Sequence, residues 1–260
     1  MNKSKTTLFL FLGILIIKVL SVFLMNGPTI FPDEACVVQI ATHFSQNFNL
    51  ASCAEITNRP AQSPFPLYSI LISTIYNFWH GMSAYYAVLI LNALMVSSLV
   101  FPLKTIFKKF IKNQKSLHFT IFFTLFIPAI TSYEKTLMTE TIFLVLSIWS
   151  LGTYIDYQTT KSKNKLISTF TLAIIASLSR PFGFILPLSF SINELAKQKG
   201  KTRIKYAIIS FIFLIGAVVL MQYLLPGIFS NLQYKITSLG ENKGLTNLLT
   251  AFVNQINSFT

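Results

Sequence analysis

The sequence predicts an all-α polytopic membrane protein of about seven transmembrane helices. Its N-terminus is expected inside and its C-terminus outside, with two amphipathic helices in an extracytoplasmic first loop. Three observations carry that class. Hydrophobic residues make up 53% of the 260 and charged ones only 11%, with 25 phenylalanines and a mean hydropathy of +0.60. Long apolar runs recur along the chain, as helical spans require. The basic residues gather in short clusters between those runs. The period-two alternation of a membrane barrel is not evident.

A net charge of +13 raises the question of nucleic acid. The placement of the basic residues answers it. They sit where positive-inside loops would, and no aromatic-basic nucleic-acid motif accompanies them. The start, MNKSKTTLFLFLGILIIKVLSVFLM, has the basic head and apolar run of a signal peptide. The run is long and no small-x-small site precedes Asp33, so it reads as an uncleaved first span.

The predicted spans are roughly 7–25, 84–103, 117–132, 137–155, 166–179, 181–196 and 205–226. The segment 64–80, PFPLYSILISTIYNFWH, is the ambiguous one, and charge counting decides it. If it does not span, fifteen basic residues face the cytoplasm and five face outward, with Lys18 inside the first span. If it spans, six lie inside and fourteen outside. The positive-inside rule rejects the second arrangement. Periodicity agrees. Leu67, Ile70, Leu71, Ile75 and Phe78 share one helical face, while Ser69, Ser73, Tyr76, Asn77 and His80 share another. Such a helix suits the outer interface, and Pro64 and Pro66 suit its start.

One transmembrane module therefore covers 1–226, with an extracytoplasmic loop at 26–83. A mildly polar extracytoplasmic tail follows at 227–260, broken by Gly227, Gly240 and Gly244. No internal repeat or separate soluble domain is visible. Six of the eight carboxylates fall outside or at that edge: Asp33, Glu34, Glu55, Glu134, Glu140 and Glu241. A soluble cytoplasmic active site has no support.

The carboxylates focus attention on the loop. Asp33 opens a predicted helix, 33–47, in which Val37, Ile40, Ala41 and Phe44 form an apolar stripe. Asp33 precedes Val37 by four and is expected on that stripe, with Glu34 pointing elsewhere. An ionisable group facing a membrane bundle is costly and needs a reason. Asp33 reads equally as a helix N-cap after Pro32. Glu140 opens the run TETIFLVLSIWSL beside Glu134 and Lys135, where a helix N-terminus favours an acid in any case. Arg180, at the outer turn SLSRPFGF, reads as a solvated or snorkelling turn residue or as a guanidinium that grips phosphate. Arg59 carries the same two readings. Lys18 is most simply a snorkelling lysine.

Cys36 and Cys53 are the only cysteines, both in the outer loop. An oxidising compartment would allow a disulfide between them, and two buried thiols are the other reading. A zinc site finds no ligand spacing among His43, His80 and His118.

Four motifs in order give the chain a family likeness: PDEACVVQIA, SPFPLYSILIS, YEKTLMTETIFLVL and ASLSRPFGFILPL. The chain resembles the GT-C fold glycosyltransferases that use polyprenyl- or dolichyl-phosphate sugars. The group it is most similar to contains the protein mannosyltransferases and the aminoarabinose transferases. The likeness covers about residues 7–196. It departs in lacking the adjacent prolines of the second motif and in having fewer spans than most members. The chain thus reads as a minimal version, a truncated product or part of a complex.

The resemblance implies that Asp33 is the catalytic base. It implies that Glu140, Arg180 and Arg59 contact the sugar or lipid phosphate, with Glu34, Tyr68 and Lys135 completing the candidate substrate contacts. The implied reaction moves a sugar from a polyprenyl phosphate to an envelope glycan, lipid or protein outside the cytoplasm, with inversion. No cofactor is required by it; Asp33 and Glu34 are the pair to consider for a divalent metal, which has no other support. The implied location is a bacterial cytoplasmic (inner) membrane with the site facing outward. Two rivals remain: an envelope polysaccharide polymerase or ligase, and a non-enzymatic transporter subunit for lipid-linked sugars. The transporter would predict ionisable residues at mid-membrane depth or broken helices in paired halves.

Overall fold

Among the residues described in a computed structural model of the chain, all regular structure is helical. These residues are 3–25, 32–47 and 66–197, together with Gly216. The chain divides into two compact units, Met1–Tyr206 and Ala207–Thr260. Every helix below belongs to the first unit. Apart from Gly216, the predicted span 205–226 and tail 227–260 lie outside the described residues.

Helix α1 is Lys3–Phe23 and α2 is Pro32–Asn47. Then come α3, Pro66–Tyr76, α4, Gly81–Ser97, and α5, Val100–Phe107. Next are α6, Gln114–Leu125, and α7, Pro128–Glu134. The long α8 is Thr139–Thr160, and α9 is Lys163–Ser177. A 3-10 turn at Pro181–Phe184 leads into α10, Ile185–Lys197.

Among the described residues, two stretches are both long and apolar enough to cross a membrane: Lys5–Phe23 and Gly81–Phe107, the latter being α4 and α5 together. A third is added if α6 and α7, bent by 55°, count as one broken span. Helix α8 has the length, at 22 residues. Thr139, Glu140, Thr141, Ser147, Ser150, Thr153 and Asp156 keep it from being apolar enough. Helices α9 and α10 have 15 and 13 residues. They fall short of the roughly 20 needed to cross about 30 Å of hydrocarbon.

Proline explains two of the breaks. Pro102 has no N–H to give Ser98, and its ring crowds that carbonyl. The ladder tightens there, with Phe101 N donating to Ser98 O at 3.2 Å. Pro128 does the same to Thr124 and occupies the first turn of α7, where its missing N–H costs least. Helix α6 starts at Asn113, whose side chain accepts the Lys115 amide at 2.9 Å. Helix α8 stops at Lys161, left-handed with φ of 54°.

The two helices predicted for the segment 26–83 are present as α2 and α3. In α2, Val37, Ile40 and Ala41 are buried. Two details differ. Glu34 is fully buried rather than turned away, because the buried stripe centres on Glu34, Val37 and Ala41. Helix α2 begins at Pro32, so Asp33 lies inside its first turn rather than capping it. In α3 the polar face is the one turned to the protein. Tyr68, Ser69, Ile72, Ser73 and Tyr76 are buried, while Leu67, Leu71 and Ile75 are only partly covered and Phe78 just beyond is exposed. That inversion is sensible where lipid supplies the apolar partner. Helix α3 lies against α2 and α4, and its Tyr68 and Ile72 share a core with Val22, Val88, Leu89 and Leu137.

A second core joins Ile14, Val96, Leu99, Leu117, Ile121 and Val145 across α1, α4, α6 and α8. Helices α8 and α9 pack along most of their length, and α5 crosses α8 closely. At that crossing a Cβ on Gly152 would lie 2.6 Å from the Cβ of Pro102. Gly152→Ala is expected to destabilise the fold by about 1–3 kcal/mol through overpacking. A lowered thermal unfolding midpoint of the purified protein in detergent would check it; an unchanged midpoint would mean that α5 and α8 do not cross there.

Candidate functional site

The chain between α7 and α8, residues 135–138, is where the predicted motifs meet. It is not helical, yet Thr136 and Leu137 are buried. The Lys135 and Thr136 amides still bond back to the Ser132 and Tyr133 carbonyls at 3.1 and 3.3 Å, but any further backbone group left unpaired in an apolar setting costs several kcal/mol, of order 2–7. Side chains from four other elements attend to the break and its edges.

Helix α2 supplies Glu34, whose Oε1 accepts the Leu137 amide at 2.9 Å. Helix α4 supplies Asn92. Its Nδ2 donates to the carbonyls of Glu134 and Thr136, at 3.2 and 3.0 Å. Helix α3 fixes Asn92 in turn, the Tyr68 hydroxyl donating to Asn92 Oδ1 at 2.9 Å. Burial pushes the Tyr68 phenol above its ordinary range, which keeps it the donor; the bond to Asn92 opposes that shift. Helix α1 supplies Lys18, which forms a fully buried ion pair with Glu134. Its ammonium also lies over the Phe126 ring, 4.8 Å from the centroid. Two hydroxyls complete the set, Thr136 and Thr141 donating to the Tyr133 carbonyl at 3.0 and 2.6 Å.

Just past the break, Glu140 in the first turn of α8 pairs with Arg180 at the end of α9. This pair is partly open, with 21% and 35% of the two side chains exposed. The Thr139 hydroxyl lies 3.4 Å from the second Glu140 oxygen. Arg180 owes its place to the turn that follows. Gly183 N donates to Arg180 O at 2.9 Å, and a Cβ on Gly183 would lie 2.5 Å from Ser177 Cα. Only glycine lets the turn close so tightly against α9.

The structure thus brings together Glu34, Tyr68, Glu140 and Arg180 from the predicted set. Lys135 lies on the break, half-buried; its amide donates to Ser132 O at 3.1 Å. Arg59, Cys53 and the Asp33 side chain lie outside the described residues. Cys36 is buried and disulfide-bonded. Among the described residues no group of three His, Cys, Asp or Glu stands ready to hold a metal ion.

Lys18 requires a correction. It does not snorkel; it is 1% exposed and paired with Glu134. It lies five residues short of the end of α1, and its stem turns to Glu134 instead of toward the helix end. A lysine deep in an apolar helix predicts an acidic partner, and Glu134 is that partner. Asn92 was missed outright, although a lone amide within ILNALMV is the same kind of signal. So was Glu194 on α10. It accepts from Tyr154, Tyr157 and Gln158 at 2.8, 3.0 and 2.7 Å, and from Lys197 at 3.2 Å. All of these lie at the far end of α8 from the break. Glu194 is saturated with donors and ties α8 to α10.

Removing one partner of a buried ion pair leaves an uncompensated charge. Lys18→Met is expected to cost about 3–5 kcal/mol, and Lys18→Met with Glu134→Met to recover most of it. Unfolding of the purified variants tests this; equal loss in the single and the double variant would count against the pair.

No protein-family model, no curated protein and no solved structure matches this chain.

Proposed function

We propose that the chain is a membrane glycosyltransferase that moves a sugar from a polyprenyl-phosphate donor to an acceptor outside the cytoplasm. The four motifs that carry the family resemblance are far apart in sequence, and one observation supports reading them as a single site. Glu34 from the first motif bonds to Leu137 in the third. Tyr68 from the second bonds to Asn92, which bonds to Glu134 and Thr136 in the third. Glu140 of the third pairs with Arg180 of the fourth.

In the proposed reaction Asp33 accepts the proton of the acceptor hydroxyl as that oxygen attacks the anomeric carbon. The bond from that carbon to the phosphate oxygen breaks, and the polyprenyl phosphate leaves. Arg180, partly exposed beside Glu140, stabilises the departing phosphate, as a guanidinium is suited to do. Arg59 is a second candidate for that work. The proposed topology has seven spans: α1, α4 with α5, α6 with α7, α8, α9, α10 and the segment 205–226. Its N-terminus is inside, and α2 and α3 lie in the outer interface of the inner membrane.

The transporter reading has one specific observation in its favour. Lys18 and Glu134 form a buried pair beside the broken span α6–α7, and broken helices with buried ions are features of transporters. The two readings part on chemistry. A glycosyltransferase makes a new glycosidic bond and needs Asp33; a transporter moves the donor unchanged.

Asp33→Asn is expected to lower transfer by about 100-fold or more while the protein still reaches the membrane. The assay is mass analysis of lipid-linked sugars and envelope glycans. Normal transfer by that variant would remove Asp33 as the base. Intact donor crossing a vesicle membrane, with no new bond formed, would favour the transporter. A reporter fused at Gly81 is expected outside; a cytoplasmic signal would overturn the seven-span count.

A further inference from the structure

The geometry points to Glu34 as a positioning residue: its carboxylate clamps the start of α8 to the loop helix α2, and so sets Asp33 relative to the Glu140–Arg180 pair. The sequence between α7 and α8, EKTLMTE, contains neither proline nor glycine. Nothing local forces a break there, and breaks without such residues arise where a side chain inserts into the hydrogen-bond ladder. Glu34 is such a side chain. It is fully buried, and it accepts the Leu137 amide from 103 positions away in the chain.

Three physical consequences follow. The carboxylate satisfies a backbone donor that neither α7 nor α8 can satisfy. It brings negative charge close to the N-terminus of a 22-residue helix, where the helix dipole favours it. It also ties two candidate residues to one bond. Asp33 is the preceding residue on α2, and Glu140 is three residues beyond Leu137. Asn92 and Lys18 steady the other side of the break through Glu134 and Thr136. With Glu34 in place, α8 cannot rotate or slide along its axis without losing that bond, so the Glu140–Arg180 pair keeps its setting against α2. A substrate contact is the poorer role for a side chain that has no exposed surface.

The catalytic part of this inference rests on the proposed glycosyl transfer; the clamp itself does not. The test therefore reads both. Glu34→Gln, Glu34→Asp and Glu34→Ala would be purified in lipid nanodiscs. Amide exchange would be followed over residues 134–141, and kcat and KM measured with a polyprenyl-phosphate sugar. Glu34→Gln keeps an acceptor oxygen at the same reach and is expected to keep both protection and activity within about tenfold. Glu34→Ala is expected to exchange at least about tenfold faster over 134–141 and to lose kcat, with KM for the lipid donor changed less than about twofold. Glu34→Asp, one methylene short, should resemble Ala and serves if Ala does not accumulate. Unchanged exchange in both Ala and Asp would overturn the clamp. So would a Gln variant whose loss lies in KM, which marks a substrate contact. If the wild-type chain transfers no sugar, the proposed reaction falls and exchange alone decides the clamp.

Discussion

The backbone break between α7 and α8 is the constraint around which the rest of the first unit is arranged. A peptide chain buried away from water must give every N–H and C=O a partner. Here a helix ends and another begins inside the bundle, and its last turn provides for only the Lys135 and Thr136 amides. Further partners come from α2 and α4, with α3 holding Asn92 in place and an ion pair from α1 alongside. Each of those helices is thereby oriented. Asn92 reaches two carbonyls only if its face of α4 looks at the break, and Tyr68 reaches Asn92 only if the polar face of α3 turns inward. The inverted amphipathicity of α3 follows from that demand.

The two ion pairs beside the break differ in what they contribute. Lys18 and Glu134 are sealed from solvent, where the cost of removing two charges from water roughly offsets their attraction. Such a pair adds little net stability compared with two apolar residues. It does penalise any packing in which α1 and α7 separate, because each charge would then be buried alone. Glu140 and Arg180 are partly open. Solvent screens them, so their mutual hold is weaker and a competing anion can approach the guanidinium. The first pair specifies an arrangement; the second leaves a charge within reach.

Much of the helix placement was legible from apolar runs and period. Every described helix overlaps a predicted one, because apolar runs and proline positions mark helices whatever surrounds them. The loop helices were found for the same reason. The choice between Asp33 and Glu34 as the inward residue was not legible. Adjacent residues differ by about 100° around a helix, and a stripe drawn through Val37, Ile40, Ala41 and Phe44 does not fix its centre that finely. The gap between the predicted spans 117–132 and 137–155 placed the break, but its burial was not legible, since EKTLMTE holds no proline or glycine to mark a tight interior turn. Lys18 was misread because its partner lies 116 positions away. The ion pair of Glu140 with Arg180 spans 40 positions and was also beyond sequence spacing, although both residues had been singled out.

The cost of the break is itself an argument about where the chemistry lies. One continuous helix from Pro128 to Thr160 would run about 50 Å and satisfy its own backbone throughout. The chain instead interrupts it without a proline or glycine and commits Glu34, Asn92, Thr136 and Thr141 to repairing the damage. Local conflicts of this kind, upheld by the surrounding structure, concentrate at functional positions. What the break achieves is specific. It ends α7 at Glu134 and starts a new helix whose N-terminal turn, with its positive end, carries Glu140 beside Arg180. An uninterrupted helix would have no such terminus there. Glu194, at the other end of α8, shows the contrast: it is well hydrogen-bonded, but it joins two intact helices and leaves no new helix N-terminus and no partly open guanidinium. The break, and not the number of buried polar residues, is what distinguishes the cluster around Glu34, Asn92, Glu140 and Arg180 from the one around Glu194.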